Sequence, residues 1–234
     1  MENPRVRFAQ ISDTHITEHK NLLVPMIASL NREKLDFVVV TGDLIHDNKD
    51  ENMFKAVASL LNEIKTKVFV LPGDYDGGEV WNKTFGQPPR YFNIDEFCVE
   101  FVDTSFMHHR FSVGWADCVE KESPEQYAWL KERLKIDKWH LVFSHHPAIV
   151  SRKPDDIKKN YTLLDNVRLN YCGHLREPVN YAFTYIKKRP PLEYGVACIP
   201  LKYHGNACYN LVTITDKGEI AHTPRALSVK MTVW

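Results

Sequence analysis

The chain has 234 residues, enough to bury one large core, and no stretch has the composition of a linker, so we expect a single domain over residues 1–234. Hydrophobic residues make up 44% and charged residues 26%, as in ordinary globular proteins. The 30 lysines and arginines balance 30 aspartates and glutamates, which argues against nucleic acid or an anionic membrane surface as a bulk partner.

The apolar runs and the cysteines of the sequence indicate the cellular compartment in which the protein is expected. No apolar run approaches the roughly 20 residues that span a bilayer, and the N-terminal residues lack the apolar region of a secretory signal. The five cysteines are odd in number and never form Cys-x-x-Cys, which argues against a disulfide framework or a zinc ribbon. We therefore expect a cytoplasmic protein without a membrane-spanning segment.

The first predicted strand covers residues 5–12 and runs into Asp13-Thr14-His15. In an extended segment, residues two apart share a face, so both side chains can reach one ion. A carboxylate with an imidazole suits zinc, manganese or iron. Taken alone, such a pair is as often part of a solvated turn.

Apolar residues at helical spacing over residues 22–35 lead into a strand, Phe37-Val38-Val39-Val40, whose uninterrupted apolar run is typical of a strand buried on both faces. This order predicts a β-α-β unit. The strand ends at Gly42-Asp43, and ligands collect at the carboxyl ends of strands in open α/β sheets. Asp43 is therefore a candidate site residue.

A second helix is predicted over residues 50–64, followed by a strand over residues 67–73. This strand ends in Asp74-Tyr75-Asp76-Gly77-Gly78. The two glycines allow the backbone to turn sharply beside whatever the carboxylates hold. Asp74 thus joins the acids found at strand ends.

Farther along the chain, alternation over residues 91–105 predicts an antiparallel strand pair. Ser123, Pro124 and Gln126 predict the start of a helix, with Ser123 and Gln126 closing a capping box. Strands over residues 139–143 and 167–172 end in histidines, His145 and His174. Beyond residue 179 the alternating segments predict a second sheet formed by the tail.

Five strand ends therefore supply six ordinary metal ligands, Asp13, His15, Asp43, Asp74, His145 and His174. A single buried histidine is more often satisfied by a backbone carbonyl than by a metal. Six such residues at corresponding positions favour a centre with one or two divalent ions.

The order of these motifs resembles the calcineurin-like metallophosphoesterase family over residues 6–176. The family pattern is Asp-x-His, Gly-Asp, Gly-Asn-His-Asp/Glu, a His before Pro, and Gly-His-x-His. Its counterparts here lie at residues 13–15, 42–43, 73–76, 145–147 and 173–176. Residues 10–15, 123–130 and 144–147 are most similar to the cyclic-nucleotide phosphodiesterase branch.

The resemblance implies a four-layer α/β/β/α sandwich with two metal ions. It places Asp13 and His15 on the first ion and makes Asp43 the bridge between the two ions. The ligands that it places on the second ion are Asp74, His145 and His174. His146 matches no ligand of the pattern and is placed behind the ligands.

Two residues depart from the family pattern. Asp74-Tyr75 stands for Asn-His, and Arg176 stands for the last histidine of Gly-His-x-His. Arginine has no acceptor and a permanent charge, so it cannot ligate a cation. Arg176 could pair with Asp74 or Asp13, or bind two phosphate oxygens, while Tyr75 can donate a hydrogen bond to the phosphoryl group. His204 could replace the lost ligand.

These observations predict a metal-dependent phosphoesterase that hydrolyses a phosphodiester or phosphomonoester with a metal-activated water. We expect the metal to be manganese, iron or zinc. We expect the substrate to be a small phosphorylated molecule, with nucleotides among the candidates. The predicted catalytic residues are Asp43, Tyr75 and Arg176. The alternative is a catalytically weakened scaffold that binds a nucleotide or a protein partner. A structural protein with a chance acid–histidine cluster is disfavoured because uncompensated buried carboxylates are costly.

Overall fold

The structure is a computed structural model that describes residues 4–16, 23–45, 50–107, 114–148, 163–164, 166–174, 180–183, 192–196 and 207–227. Its helices are α1 (Leu23–Leu30), α2 (Glu51–Leu61), α3 (Glu79–Phe85), α4 (Trp115–Glu122) and α5 (Pro124–Arg133). Its strands are β1 (Pro4–Ile11), β2 (Phe37–Thr41), β3 (Lys67–Leu71), β4 (Tyr91–Ile94), β5 (Phe97–Val102), β6 (Trp139–Ser144), β7 (Val167–Cys172), β8 (Asn180–Phe183), β9 (Leu192–Val196), β10 (Ala207–Thr215) and β11 (Ile220–Leu227).

The strands form two sheets. The first has the order β11-β10-β1-β2-β3, with β1, β2 and β3 parallel to one another and β10 antiparallel to β1. The second has the order β4-β5-β6-β7-β9-β8, with β5, β6, β7 and β9 parallel. Parallel strands point their carboxyl ends toward one edge, so each sheet presents several strand ends together.

Three apolar clusters hold four layers together. One cluster, which includes the stacked rings of Phe8 and Phe37, lies between the two sheets. A second packs α1, α2 and α3 against the outer face of the first sheet. The third packs α4 and α5 against the outer face of the second sheet. The predicted α/β/β/α sandwich is confirmed.

The described strands of the tail do not form a sheet of their own, so the prediction of a separate sheet was wrong. β10 and β11 extend the first sheet beside β1, whereas β8 and β9 extend the second sheet beside β7. Alternation along a strand reports that one face is buried but not which strand will be its neighbour. The predicted β-α-β unit, the antiparallel β4–β5 pair and the turn at residues 215–218 are confirmed.

The helix starts were predicted with mixed success. Asp50 caps α2, and its side chain accepts a hydrogen bond from the backbone N–H of Met53. Ser123 occupies the N-cap of α5 but makes no side-chain cap bond, so the predicted capping box does not form. α3 and α4 were not predicted; both start after a glycine and lack a side-chain cap that the sequence would show.

Within the part of the chain that the structure describes, no helix is both long and apolar enough to cross a membrane.

Candidate metal centre

The six predicted metal ligands lie where the carboxyl ends of strands from both sheets meet. The loops there are joined by backbone bonds: Asp13 N donates to Gly42 O at 2.9 Å, and Gly173 N donates to His145 O at 2.9 Å. The backbone N–H of His174 donates to Asp13 Oδ2 at 3.0 Å, which links the end of β7 to the end of β1. Loops from the two sheets therefore build one site.

Two groups of ligand atoms form at this edge, each with atoms within 4.8 Å of one another. The acidic group consists of Asp13, His15 and Asp43. The histidine group consists of Asp74, His145, His146 and His174. All six residues predicted from the strand ends belong to one group or the other.

Asp43 faces both groups. Its Oδ2 lies 3.4 Å from His15 Nε2 in the acidic group, and its Oδ1 lies 3.5 Å from His145 Nε2 in the histidine group. A carboxylate with one oxygen turned to each side has the arrangement of a ligand shared between two ions.

His145 is held in one orientation by two contacts. Its Nδ1 lies 2.7 Å from the carbonyl oxygen of Thr41, so this nitrogen donates. Its Nε2 lies 3.0 Å from Asp74 Oδ1, on the side of the two groups. A carbonyl that binds one ring nitrogen of a histidine fixes the other as the metal-binding nitrogen. No sequence signal pointed to Thr41.

The backbone is strained at four of the site residues. Asp13, His15, Asp43 and His174 have φ values of 53°, 38°, 54° and 61°, a region that non-glycine residues seldom adopt. Such conformations cost about 1–3 kcal/mol each and persist where surrounding structure or function demands them. The strain therefore concentrates on the residues that face the two groups.

Glycines let the loops come close enough to build the site. A Cβ placed on Gly42, whose φ is +92°, would lie 2.6 Å from Gly73 Cα and 2.9 Å from His145 Nδ1. A Cβ on Gly173 would collide with Ser12 Oγ and lie 2.6 Å from Asp13 Oδ2. Any side chain at either position would push the strand ends apart.

The charged side chains of the acidic group and the histidine group are arranged to bind a cation. Burial raises the pKa of Asp43 to about 8, because its charged form is poorly solvated there. Burial alone would lower the pKa of His145, but the carboxylates of Asp43 and Asp74 outweigh it and raise the pKa to about 10. Hydrogen bonds from His145 and His174 outweigh burial and hold the pKa of Asp74 well below its usual range. These buried carboxylates and imidazoles are the donor set of a divalent transition metal.

Asp76 supports the site without facing either group. It is fully buried, and its carboxylate accepts hydrogen bonds from the backbone N–H groups of Leu44 and Gly73. These bonds tie the loop after β2 to the loop after β3, which carry Asp43 and Asp74. Asp76 belongs to the motif at residues 73–76, but this role was not predicted.

The structure describes only part of what sequence analysis proposed for catalysis. The backbone N–H of Tyr75 donates to Asp43 Oδ1 at 3.2 Å, and its ring packs edge-on against His15 with centroids 5.3 Å apart. Tyr75 thus lies beside the acidic group. Arg176 and His204 lie outside the described residues.

A third group, Cys98, Glu100 and His140, also brings ligand atoms within 4.8 Å of one another. Its carboxylate is engaged, because Glu100 Oε1 lies 3.0 Å from His140 Nδ1 and 3.3 Å from an Arg133 guanidinium nitrogen. A guanidinium at that distance competes with a metal ion for the same oxygen. We therefore treat this group as a buried structural network.

Comparisons with known proteins agree with this geometry. Residues 6–178 match the family model described as calcineurin-like phosphoesterase. A protein named probable cyclic nucleotide phosphodiesterase from Fibrobacter succinogenes is 29% identical over 158 residues, which is 63% of this chain and 59% of that relative's length. A protein of the same name from Coxiella burnetii is 25% identical, covering 84% of this chain and 87% of the relative. A glycerophosphodiester phosphodiesterase from Enterobacter lignolyticus is 26% identical, covering 84% and 77%.

Solved structures share the fold. A dimetal phosphatase from Danio rerio superposes with a TM-score of 0.71 at 14% identity, covering 96% of this chain and 97% of the other. A purple acid phosphatase from yellow lupin gives a TM-score of 0.60 at 12% identity, covering 94% and 51%. The matched family model spans the loops that carry both ligand groups, and the chain belongs to the calcineurin-like phosphoesterase family.

Proposed function

We propose that the chain hydrolyses phosphodiesters with the help of divalent metal ions. The observation that carries the proposal is Asp43, which turns one carboxylate oxygen to His15 and the other to His145. An acid in that position suits a centre with two ions rather than two unrelated sites. Manganese, iron and zinc are the candidate metals.

In this proposal Asp13, His15 and Asp43 hold one ion, while Asp43, Asp74, His145 and His174 hold the other. When bound, such ions polarise phosphoryl oxygens and supply a water of lowered pKa at neutral pH. The chain's own residues fix the geometry. Thr41 keeps the proton of His145 on Nδ1, and Asp76 holds the loops of Asp43 and Asp74 together.

Tyr75 is proposed to bind the phosphoryl group. Its ring packs against His15 and its backbone N–H holds Asp43, which places the residue at the border of the acidic group. Its hydroxyl can donate a hydrogen bond to a phosphoryl oxygen. Arg176 is proposed as a second phosphate-binding residue because its planar guanidinium can donate two hydrogen bonds to one phosphate.

The substrate class follows from the relatives' names. Both the cyclic nucleotide phosphodiesterases and the glycerophosphodiester phosphodiesterase are named for phosphodiesters. We propose small phosphodiesters first and phosphomonoesters second. Cys98, Cys118 and Cys172 are buried and form no disulfide, which supports a reducing compartment such as the cytoplasm.

The experiment combines elemental analysis with a hydrolysis panel. The purified protein is assayed with cyclic nucleotides, glycerophosphodiesters and phosphomonoesters in the presence of manganese, iron or zinc. Asp43→Ala should abolish activity and lower the metal content more than the loss of any other single ligand, because this carboxylate is proposed to contact both ions. Asp137→Ala, at an exposed turn after α5, is the matched control and should change neither.

Two outcomes would count against the proposal. Full metal content and activity in Asp43→Ala would refute the shared-ligand role. Bound metal without hydrolysis of any substrate would favour the alternative function, a weakened scaffold that binds a nucleotide or a protein partner.

A further inference from the structure

His146 lies inside the histidine group, although the family pattern does not use it. One of its ring nitrogens lies within 4.8 Å of the ligand atoms of Asp74, His145 and His174. Its ring centroid is 4.2 Å from that of His174 and 4.9 Å from that of His145. The residue is fully buried. Its ring therefore lies close enough to the other members of the histidine group to reach the same ion.

The structure fixes His146 at three points. Its backbone N–H donates to Thr104 Oγ1 at 3.1 Å, and its ring Nδ1 lies 3.1 Å from the same hydroxyl. Its carbonyl oxygen accepts a hydrogen bond from Ser144 Oγ at 2.8 Å. Ser144 Oγ accepts in turn from the indole N–H of Trp115 at 3.1 Å. Thr104, in the loop after β5, therefore orients the ring, while Ser144 and Trp115 hold the backbone of His146.

Because Thr104 engages Nδ1, Nε2 is the nitrogen that His146 offers to an ion. A metal-binding imidazole is usually oriented by a hydrogen-bond partner on its other ring nitrogen, most often a carboxylate, a backbone carbonyl or water. The Thr104 hydroxyl occupies that position at His146. Thr41 does the same for His145 through its carbonyl oxygen. The two neighbouring histidines therefore have equivalent supports on their outer nitrogens.

We propose that His146 Nε2 is an additional ligand of the ion held by Asp74, His145 and His174. This inference rests on the proposed metal centre but not on hydrolysis. With His146 the histidine group supplies three imidazoles and one carboxylate, a complete four-ligand set without Asp43. Such a set favours zinc or cobalt, whereas the acidic group, with two carboxylates and one imidazole, suits manganese or magnesium better. The first equivalent of zinc then fills the histidine group.

Metal binding without substrate tests the inference. The metal-free protein is loaded with one equivalent of zinc, and X-ray absorption counts the coordinated imidazoles. Three imidazoles are expected, and two would overturn the inference. One equivalent of cobalt should give the intense visible bands of a four-coordinate ion.

Variants separate a ligand from an orienting residue. His146→Asn keeps a polar group near Thr104 but removes Nε2, so zinc affinity should fall by more than the roughly 10–100-fold that loss of an orienting partner costs. Thr104→Val should lower affinity only within that range and keep the imidazole count. His222→Asn, in neither group, is the control and should leave affinity unchanged. An unchanged count and affinity in His146→Asn would also overturn the inference.

The two proposals fail separately. A protein that binds zinc through three imidazoles but hydrolyses nothing would refute the proposed function alone. Hydrolysis with a two-imidazole zinc site would refute the role of His146 alone. If His146→Asn does not fold, the count on the unmodified protein still decides the question.

Discussion

At the scale of single residues, charge balance dominates the site. Asp13, Asp43 and Asp74 bring three carboxylates into the buried interior, where separating them from water is costly unless cations compensate. The protonated imidazole of His145 supplies positive charge that compensates these carboxylates, because Asp43 and Asp74 raise its pKa to about 10. The metal-free protein therefore carries a proton at the nitrogen that a metal would use.

This protonation predicts that metal binding releases protons. At pH 7 both His145 and Asp43 are below their raised pKa values and hold protons, and both must lose them before they bind an ion. Zinc affinity should therefore increase with pH through the neutral range, with release of about one proton or more for each ion bound. Titration calorimetry in buffers of different ionisation enthalpy measures the number.

A His145→Asn variant serves as the comparison and should release fewer protons. If no proton is released at pH 7 in the unmodified protein, neither His145 nor Asp43 holds the extra proton before the metal binds.

At the scale of elements, two helices that both begin after a residue favoured at the N-cap are capped differently. Asp50 binds the N–H of Met53 at 2.9 Å in α2, whereas Ser123 makes no side-chain cap bond in α5. Gln126, the proposed partner of Ser123, instead binds the backbone N–H and carbonyl of Asp103 at 2.9 and 2.8 Å. Gln126 therefore fixes the end of β5, from which Thr104 reaches His146.

The difference in capping predicts unequal costs for two similar substitutions. Asp50→Ala should lower the free energy of unfolding by about 1 kcal/mol, because an N–H of α2 loses its acceptor. Ser123→Ala should change it by less than about 0.5 kcal/mol. Urea denaturation of both variants, fitted with one shared dependence of the unfolding free energy on urea concentration, measures the two losses of stability. Equal losses would mean that Ser123 caps α5 in solution.

At the scale of the whole molecule, the site exists because two sheets approach each other at one edge. The aromatic cluster between the sheets sets their separation, and Gly173 at the end of β7 lies against Ser12 and Asp13 at the end of β1. The bond from His174 N to Asp13 Oδ2 closes the same gap. Neither sheet alone contains all six of the predicted ligands.

This close approach predicts that Gly173→Ala will damage the site and the fold together. The added methyl group collides with Ser12 Oγ and crowds Asp13, so unfolding free energy should fall by about 1–3 kcal/mol and metal content should decrease. Gly77→Ala is the matched control, since its Cβ would have no neighbour nearer than Ser105 Cβ at 3.9 Å. Thermal denaturation and elemental analysis measure both effects. Wild-type stability in Gly173→Ala would show that the sheets separate easily at this edge.

The sequence by itself determined the elements of the first sheet and the six strand-end residues of the site. Runs such as residues 37–41 are apolar throughout because they are buried on both faces, and that pattern is local. The acids and histidines that follow each strand are equally local, so Asp43 and His145 were found without a structure. Their membership in one site could be predicted because parallel strands deliver their carboxyl ends to the same edge.

Only the tertiary structure decided the rest. The division of the tail between two sheets depends on which strand edges are open, and alternation along a strand does not encode this. The Gln126 side chain does not close the predicted capping box, because it bonds instead to the backbone N–H and carbonyl of Asp103, 23 residues away in sequence. His146 lies in the histidine group because Thr104, 42 residues away in sequence, orients its ring. Contacts between residues distant in sequence arise only when the layers pack, and these contacts select which polar side chains face the acidic group and the histidine group.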